Sequence, residues 1–260
     1  MNGIYDWPLW IPVVSILLLA LAATELGFRR GRAMQASKTE HMVIETIRAG
    51  TLGLVALLLG FSFAITSGRF NERSELVMDE ANSIEACYLR ADLVAEPASS
   101  QIRGALRRYM GFRLESYDIG LDPREYQRSA GGMHAALDEL WTAVVGAVNA
   151  DRPRALASAI VPCASEVVHL SAKREWVRRF HMPASVVLLL GLSIIICAAM
   201  IGHALGETGR RHVGLSLAVN LLIVMVAAIV LDFDRPRSGL IRVEQTPLIV
   251  VRERMKHWPP

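Results

Sequence analysis

The chain has 260 residues, 52% of them hydrophobic and 20% charged, with a formal net charge of +3. That balance is too apolar for an average soluble domain and too charged for a bundle buried wholly in lipid, so one chain is expected to combine a membrane part with a water-facing part. The three cysteines, Cys87, Cys163 and Cys197, are odd in number and lack CxxC or Cys/His spacing, which argues against a disulfide framework or a zinc site and for small buried apolar residues.

Residues 7–24, 49–66, 183–205 and 213–231 are apolar enough, and long enough, to cross a hydrocarbon core, which takes roughly 20 helical residues. ALAAT at residues 20–24 looks like a cleavage site, but the segment before the first apolar core has Asp6 and no Lys or Arg, so an uncleaved membrane helix is expected.

The second stretch leads into an insert, residues 67–182, that reads as helical throughout. Residues 69–96 hold no Gly or Pro, so the second membrane helix is expected to run on out of the lipid and to end before Pro97. Leu76, Met78, Ile84, Cys87, Tyr88 and Leu89 form its expected inner face. Its carboxylates, Glu72, Glu75, Asp79, Glu80 and Glu85, read as a solvated face, with a cation site as the alternative.

Ser99 and Ser100 suit the start of a second insert helix that runs to about Tyr117, where DIGLDP supplies turn chemistry. A third is expected from Pro123 towards Ala150, weakened by Gly131 and Gly132. Asp151 with Pro153 marks a fourth, running to Phe180, with Lys173, Arg174, Arg178 and Arg179 in its last turns favouring the helix dipole. After the fourth span an ordered, irregular tail is expected to pack along the protein, because Leu240, Ile241, Val243 and residues 248–251 are too apolar for water. The expected fold is therefore an all-α integral membrane protein. It divides into membrane helices 1 and 2 (residues 1–66), a helical insert (67–182), membrane helices 3 and 4 (183–232) and a tail (233–260).

Four spans place both termini and the insert on one side. Arginines near the spans give that side a modest majority, which the positive-inside rule reads as cytoplasmic. The flanks of the first helix, Asp6 against Arg29, Arg30 and Arg32, argue the reverse, so charge leaves orientation open.

No Ser/His/Asp order, HExxH, GxSxG or nucleotide loop is present, the histidines are scattered, and Glu25 and Asn220 stand alone within their spans. Neither an enzyme nor a cofactor is expected, and no catalytic or metal site. Asn220 is expected to make an interhelical hydrogen bond, with a ligand contact as the alternative. The second span is more informative: Gly50, Gly53, Ala56, Leu57, Gly60, Phe61 and Ala64 recur at helical spacing, a small stripe with two bulky residues one turn apart. Such a stripe serves close helix packing in lipid or, facing the axis of an oligomer, an apolar constriction. Arg69 and Arg73 just beyond it are interfacial residues on the first reading; on the second they are charged rings that attract anions.

LGFSFAITSGRFNER, residues 59–73, resembles the bestrophins, whose second membrane helix carries Leu-Gly-Phe, then seven residues, then Arg and an aromatic. Here these fall on Leu59, Gly60, Phe61, Arg69 and Phe70. SGRFNERSELVMDEANSIEACYLRADL and LDFDRPRSGLIRVEQTPL look like the signature stretches of a bacterial bestrophin-like membrane family of unknown function, and this similarity covers most of the chain. The resemblance implies a homo-oligomer, with five subunits in bestrophins, in a bacterial inner membrane, with membrane lipid and anions as partners and no nucleic acid. It also implies a cytoplasmic insert and cytoplasmic termini. The implied function is passive permeation of chloride-type anions.

The bestrophin pore neck, three bulky residues one turn apart, maps to Gly53, Leu57 and Phe61, with Arg69 and Arg73 at the inner mouth. Gly53 departs from the pattern and would leave the outer ring wide. Asp232 and Asp234 offer too few oxygens for the calcium site of animal bestrophins and are expected to pair with Arg235 and Arg237. The competing function is a non-conducting scaffold or sensor whose insert binds a partner.

Overall fold

The computed structural model describes residues 7–33, 38–118, 123–150, 154–235 and 239–258. Among these residues every regular element is a helix: α1 (Trp10–Ala33), α2 (Lys38–Arg90), α3 (Ala98–Asp118), α4 (Pro123–Ala150), α5 (Arg154–Arg179), α6 (Ala184–Glu207), α7 (Val213–Phe233) and α8 (Thr246–His257), with a short 3-10 turn at Ala91–Leu93 after α2. Four helical segments carry stretches long and apolar enough to cross a membrane. Residues 119–122 of the DIGLDP turn and the start expected at Asp151 and Pro153 lie outside the described residues, as do Asp6 and Arg237.

Two compact units result. The first comprises residues 1–70 and 181–241, the second residues 71–180 and 242–260. In the first unit α1, α6, α7 and the leading part of α2 share a core that includes Ala20, Val55, Leu59, Ile194, Ala198, Val224 and Val230. Glycines set its tightest contact: a Cβ on Gly27 or Gly31 of α1 would collide with backbone of α6, and one on Gly202 or Gly206 of α6 would collide with backbone of α1. Small residues let helix backbones approach this closely, which in lipid replaces the hydrophobic drive available in water. Asn220 on α7 donates to the Thr24 hydroxyl (3.1 Å) and to the Ser216 carbonyl (2.8 Å), the interhelical bond expected of a polar residue deep in a span.

In the second unit, Leu76, Ile84 and Tyr88 of α2, Ile102, Leu106 and Tyr109 of α3, Leu140 and Val144 of α4, and Ile160 and Val167 of α5 are buried. Met78 and Leu89, expected on the inner face of α2, are instead exposed, because the buried positions step by three and four and leave both off that line. α4 runs unbroken through Gly131 and Gly132: a Cβ on Gly132 would overlap the Phe112 ring, so this glycine admits α3 at close range.

The tail is helical where an irregular segment was expected. Thr246 and Pro247 open α8, where a proline costs no hydrogen bond. Leu248, Val251 and Met255 then fall on one face at helical spacing and are buried, which accounts for the apolar run in the sequence.

Candidate functional site

Within its apolar stretch α2 presents two opposite faces. Val55, Leu59, Ser62 and Thr66 are buried in the first unit, and their steps of four, three and four trace one side of a helix with about 3.6 residues per turn. Gly53, Leu57, Gly60, Phe61 and Ala64 fall on the other side. There Leu57 is 53% exposed and Phe61 60% exposed. A Cβ added to Gly50, Gly53 or Gly60 would meet nothing within 4 Å. Among the described residues, then, nothing packs against the glycines of the α2 stripe, whereas the glycines of α1 and α6 do serve packing inside the chain.

At the end of that stretch the side chains become polar and converge on α7. Arg69 Nη1 lies 3.5 Å from Asp234 Oδ1, and Asp234 Oδ2 accepts the Met182 backbone N–H at 2.7 Å. The His181 ring stands 3.9 Å from the same carboxylate. The Phe233 ring packs on Phe63 at 5.7 Å and Phe70 at 5.3 Å between centroids. Asp232 accepts the backbone N–H groups of Leu240 (2.8 Å) and Ile241 (2.9 Å), and a Cβ on Gly239 would collide with its carboxylate.

This corrects the expected pairing. Asp234 pairs with Arg69 rather than with Arg235, Asp232 holds backbone amides, and Arg235 donates to the Trp7 carbonyl. Sequence proximity suggested the wrong partners because Asp232, in the last turn of α7, and Asp234, the residue that caps it, each meet groups from other segments. Arg73 is buried in the second unit, where its Nη2 donates to the Phe180 carbonyl at 2.9 Å.

Glu80 was read as part of a solvated face, and it is fully buried, whereas Glu72, Glu75 and Asp79 are exposed. Glu80 Oε1 accepts from Arg113 Nε (3.0 Å) and Nη2 (2.6 Å) and from the Tyr109 hydroxyl, while Oε2 takes Arg174 Nη1. Arg174 Nη2 also donates to Gln245 Oε1 at 3.1 Å. Burial alone would raise the Glu80 pKa; the charges of Arg113 and Arg174 outweigh it and hold the carboxyl below its ordinary range. A signal was present: Glu80 sits midway between Leu76 and Ile84, on the apolar row of α2. Among the described residues no group of three His, Cys, Asp or Glu side chains could hold a metal ion.

Among known families, the Bestrophin-like domain matches residues 14–248. None of the curated proteins compared with the chain matches it. Among solved structures, a bacterial bestrophin homologue from Klebsiella pneumoniae aligns over 95% of this chain and 98% of its own, with a TM-score of 0.67 and 12% identity. A point variant of that homologue gives 0.68 at 12% identity with the same coverage. A variant described as a membrane protein gives 0.69 at 13%, over 95% of this chain and 100% of its own. At this identity the likeness establishes the fold. Together with four helices apolar enough to span, it makes the chain a multi-pass membrane protein with a helical extramembrane insert between its second and third spans. The chain belongs to the Bestrophin-like family.

Proposed function

We propose that this protein assembles as a homo-oligomer, a pentamer on the bestrophin plan, and lets chloride-type anions permeate passively along an axis lined by α2. The observation that supports this most is the orientation of Gly53, Leu57 and Phe61, which stand on the face of α2 opposite the core. Apolar side chains brought together from several subunits form a neck that gates by dewetting. Gly53 contributes no side chain, so the neck has two bulky rings and a wide outer end.

Arg69 and Arg73 supply positive potential at the inner mouth, where a narrow low-dielectric vestibule raises local anion concentration. Arg69, with its side chain 30% exposed, is the more accessible source, although Asp234 at 3.5 Å offsets part of its charge; the buried Arg73 acts through its field. In this reading the spans lie in a bacterial inner membrane. The insert, residues 67–182, and the tail, residues 233–260, face the cytoplasm with the N-terminus.

The test is halide flux into liposomes reconstituted with the purified protein, wild type beside Leu57→Ala and Phe61→Ala. Flux above empty vesicles that either substitution alters is the expected result. Flux equal to empty vesicles from a verified folded oligomer overturns the reading and favours a non-conducting scaffold or sensor.

A further inference from the structure

Cys87 of α2 and Cys163 of α5 lie 76 positions apart in sequence, yet their sulfur atoms are 3.1 Å apart inside the second unit. Both side chains are buried, outside the four apolar stretches, and both are free thiols. Cys163 Sγ also lies 3.0 Å from the Ile160 carbonyl. A disulfide needs an S–S distance of about 2.05 Å, so roughly 1 Å of sulfur movement closes the gap.

We infer that Cys87 and Cys163 form a reversible redox pair, which hydrogen peroxide converts into a disulfide linking α2 to α5. Pro162, directly before Cys163, has no N–H to give and so interrupts the helical hydrogen-bond ladder of α5 at this point.

The shared hydrogen bond, given by Cys163 to Cys87, and the guanidinium of Arg90 favour one thiolate at the pair, against burial. With Cys163 as the nucleophile Cys87 is the resolving thiol, and the same steps run with the two exchanged.

Cys163 thiolate attacks one peroxide oxygen, the O–O bond breaks, and the departing hydroxide leaves as water after taking up a proton. The resulting Cys163 sulfenic acid is attacked by the Cys87 sulfur, its S–O bond breaks, and the hydroxide lost there takes the Cys87 proton as a second water. The two sulfurs give up two electrons and peroxide accepts them. Burial limits the reaction to oxidants of water size, and a bridge between helices already in place requires no opening of the core. The inference is independent of whether the protein conducts.

The experiment treats the purified full-length protein in detergent with hydrogen peroxide and reads intact mass, non-reducing gels and a digest made without reductant. The expected result is loss of two hydrogens from the intact mass, a peptide joining Cys87 to Cys163, full reversal by dithiothreitol, and retention of the Cys197 thiol. Cys163→Ser abolishes the mass loss and leaves Cys87 reduced, whereas Cys197→Ser leaves the reaction intact. If Cys163→Ser does not fold, the wild-type peptide map decides alone. Added oxygen on either sulfur without a joined peptide, a disulfide between subunits on the gel, or unchanged thiols would each overturn the inference.

Discussion

Arg69 Nη1 and Asp234 Oδ1 lie 3.5 Å apart and tie the end of the apolar stretch of α2 to the end of α7. Asp234 is the more deeply set partner: its other oxygen takes the Met182 N–H and its side chain is almost wholly buried. Removing Arg69 leaves that buried carboxylate without its counter-charge, whereas removing Asp234 leaves a partly exposed Arg69 that water can reach but strips the Met182 N–H of its acceptor. Asp234→Ala and Arg69→Ala are therefore each expected to cost on the order of 3 kcal/mol. Thermal unfolding in detergent reads both, and a negligible shift for either would contradict the pairing.

The Glu80 cluster makes a sharper case. One carboxylate bridges two guanidinium groups brought from α3 and α5 and offsets one of their two positive charges. Glu80→Gln keeps the shape and removes the charge, so Arg113 and Arg174 are left buried against each other. The expected loss is about 3–5 kcal/mol, enough to unfold the insert or prevent its folding. Near-wild-type resistance of the insert to proteolysis would show that water reaches the site and solvates both arginines.

These carboxylates also predict how stability depends on pH. Glu80 is held below its ordinary range, and Glu175 is lowered to about 2: burial opposes the shift, but Arg178 and the Tyr126 hydroxyl outweigh it. Groups with depressed folded pKa values stabilise most above their unfolded values and lose that contribution as pH falls through the folded ones. Stability of the insert is therefore expected to be flat near neutrality and to fall steadily between about pH 4.5 and 2. Unfolding midpoints measured across that range, with Glu175→Gln as comparison, test the assignment; an identical slope in the variant would remove Glu175 from it.

Much of this architecture was legible. Hydropathy marks a membrane span because every backbone group in lipid must be satisfied within the helix, and the Gly- and Pro-free run after residue 68 carried α2 out to Arg90. The polar contacts were not legible, because they join positions far apart in sequence. Glu80 resembled its solvated neighbours in composition and differed only in lying on the Leu76–Ile84 row. The partner of Asp234 proved to be 165 positions away, Arg69, rather than adjacent. α8 was hidden by Pro247 and a β-branched run, and it forms because its apolar face finds a core.

The glycines separate two kinds of helix contact. A Cβ on Gly202 would collide with the Thr24 backbone, and backbone cannot rotate away, so Gly202→Ala is expected to drive α1 and α6 apart and lower the yield of folded protein. Gly60→Ala has open space around it within one chain and should leave the fold of the protomer unchanged. Size-exclusion profiles and thermal midpoints distinguish the two; equal tolerance would mean that the α1–α6 contact is looser than its geometry.

Gly53 offers the most direct test of the proposed axis. Apart from the neighbouring backbone of α2 itself, none of the described residues lies within 4 Å of a Cβ placed there, so Gly53→Leu should fold as well as the parent, and it gains helix propensity by losing a glycine. If α2 lines a pore, the substitution adds a third bulky ring one turn beyond Leu57, lengthens the dewetted neck and reduces halide flux several-fold. If the same face of α2 points to lipid, the added leucine is solvated by acyl chains and flux does not change. A folded, assembled Gly53→Leu protein with wild-type flux would therefore remove α2 from the axis even if the protein conducts, which the alanine substitutions at Leu57 and Phe61 cannot do alone.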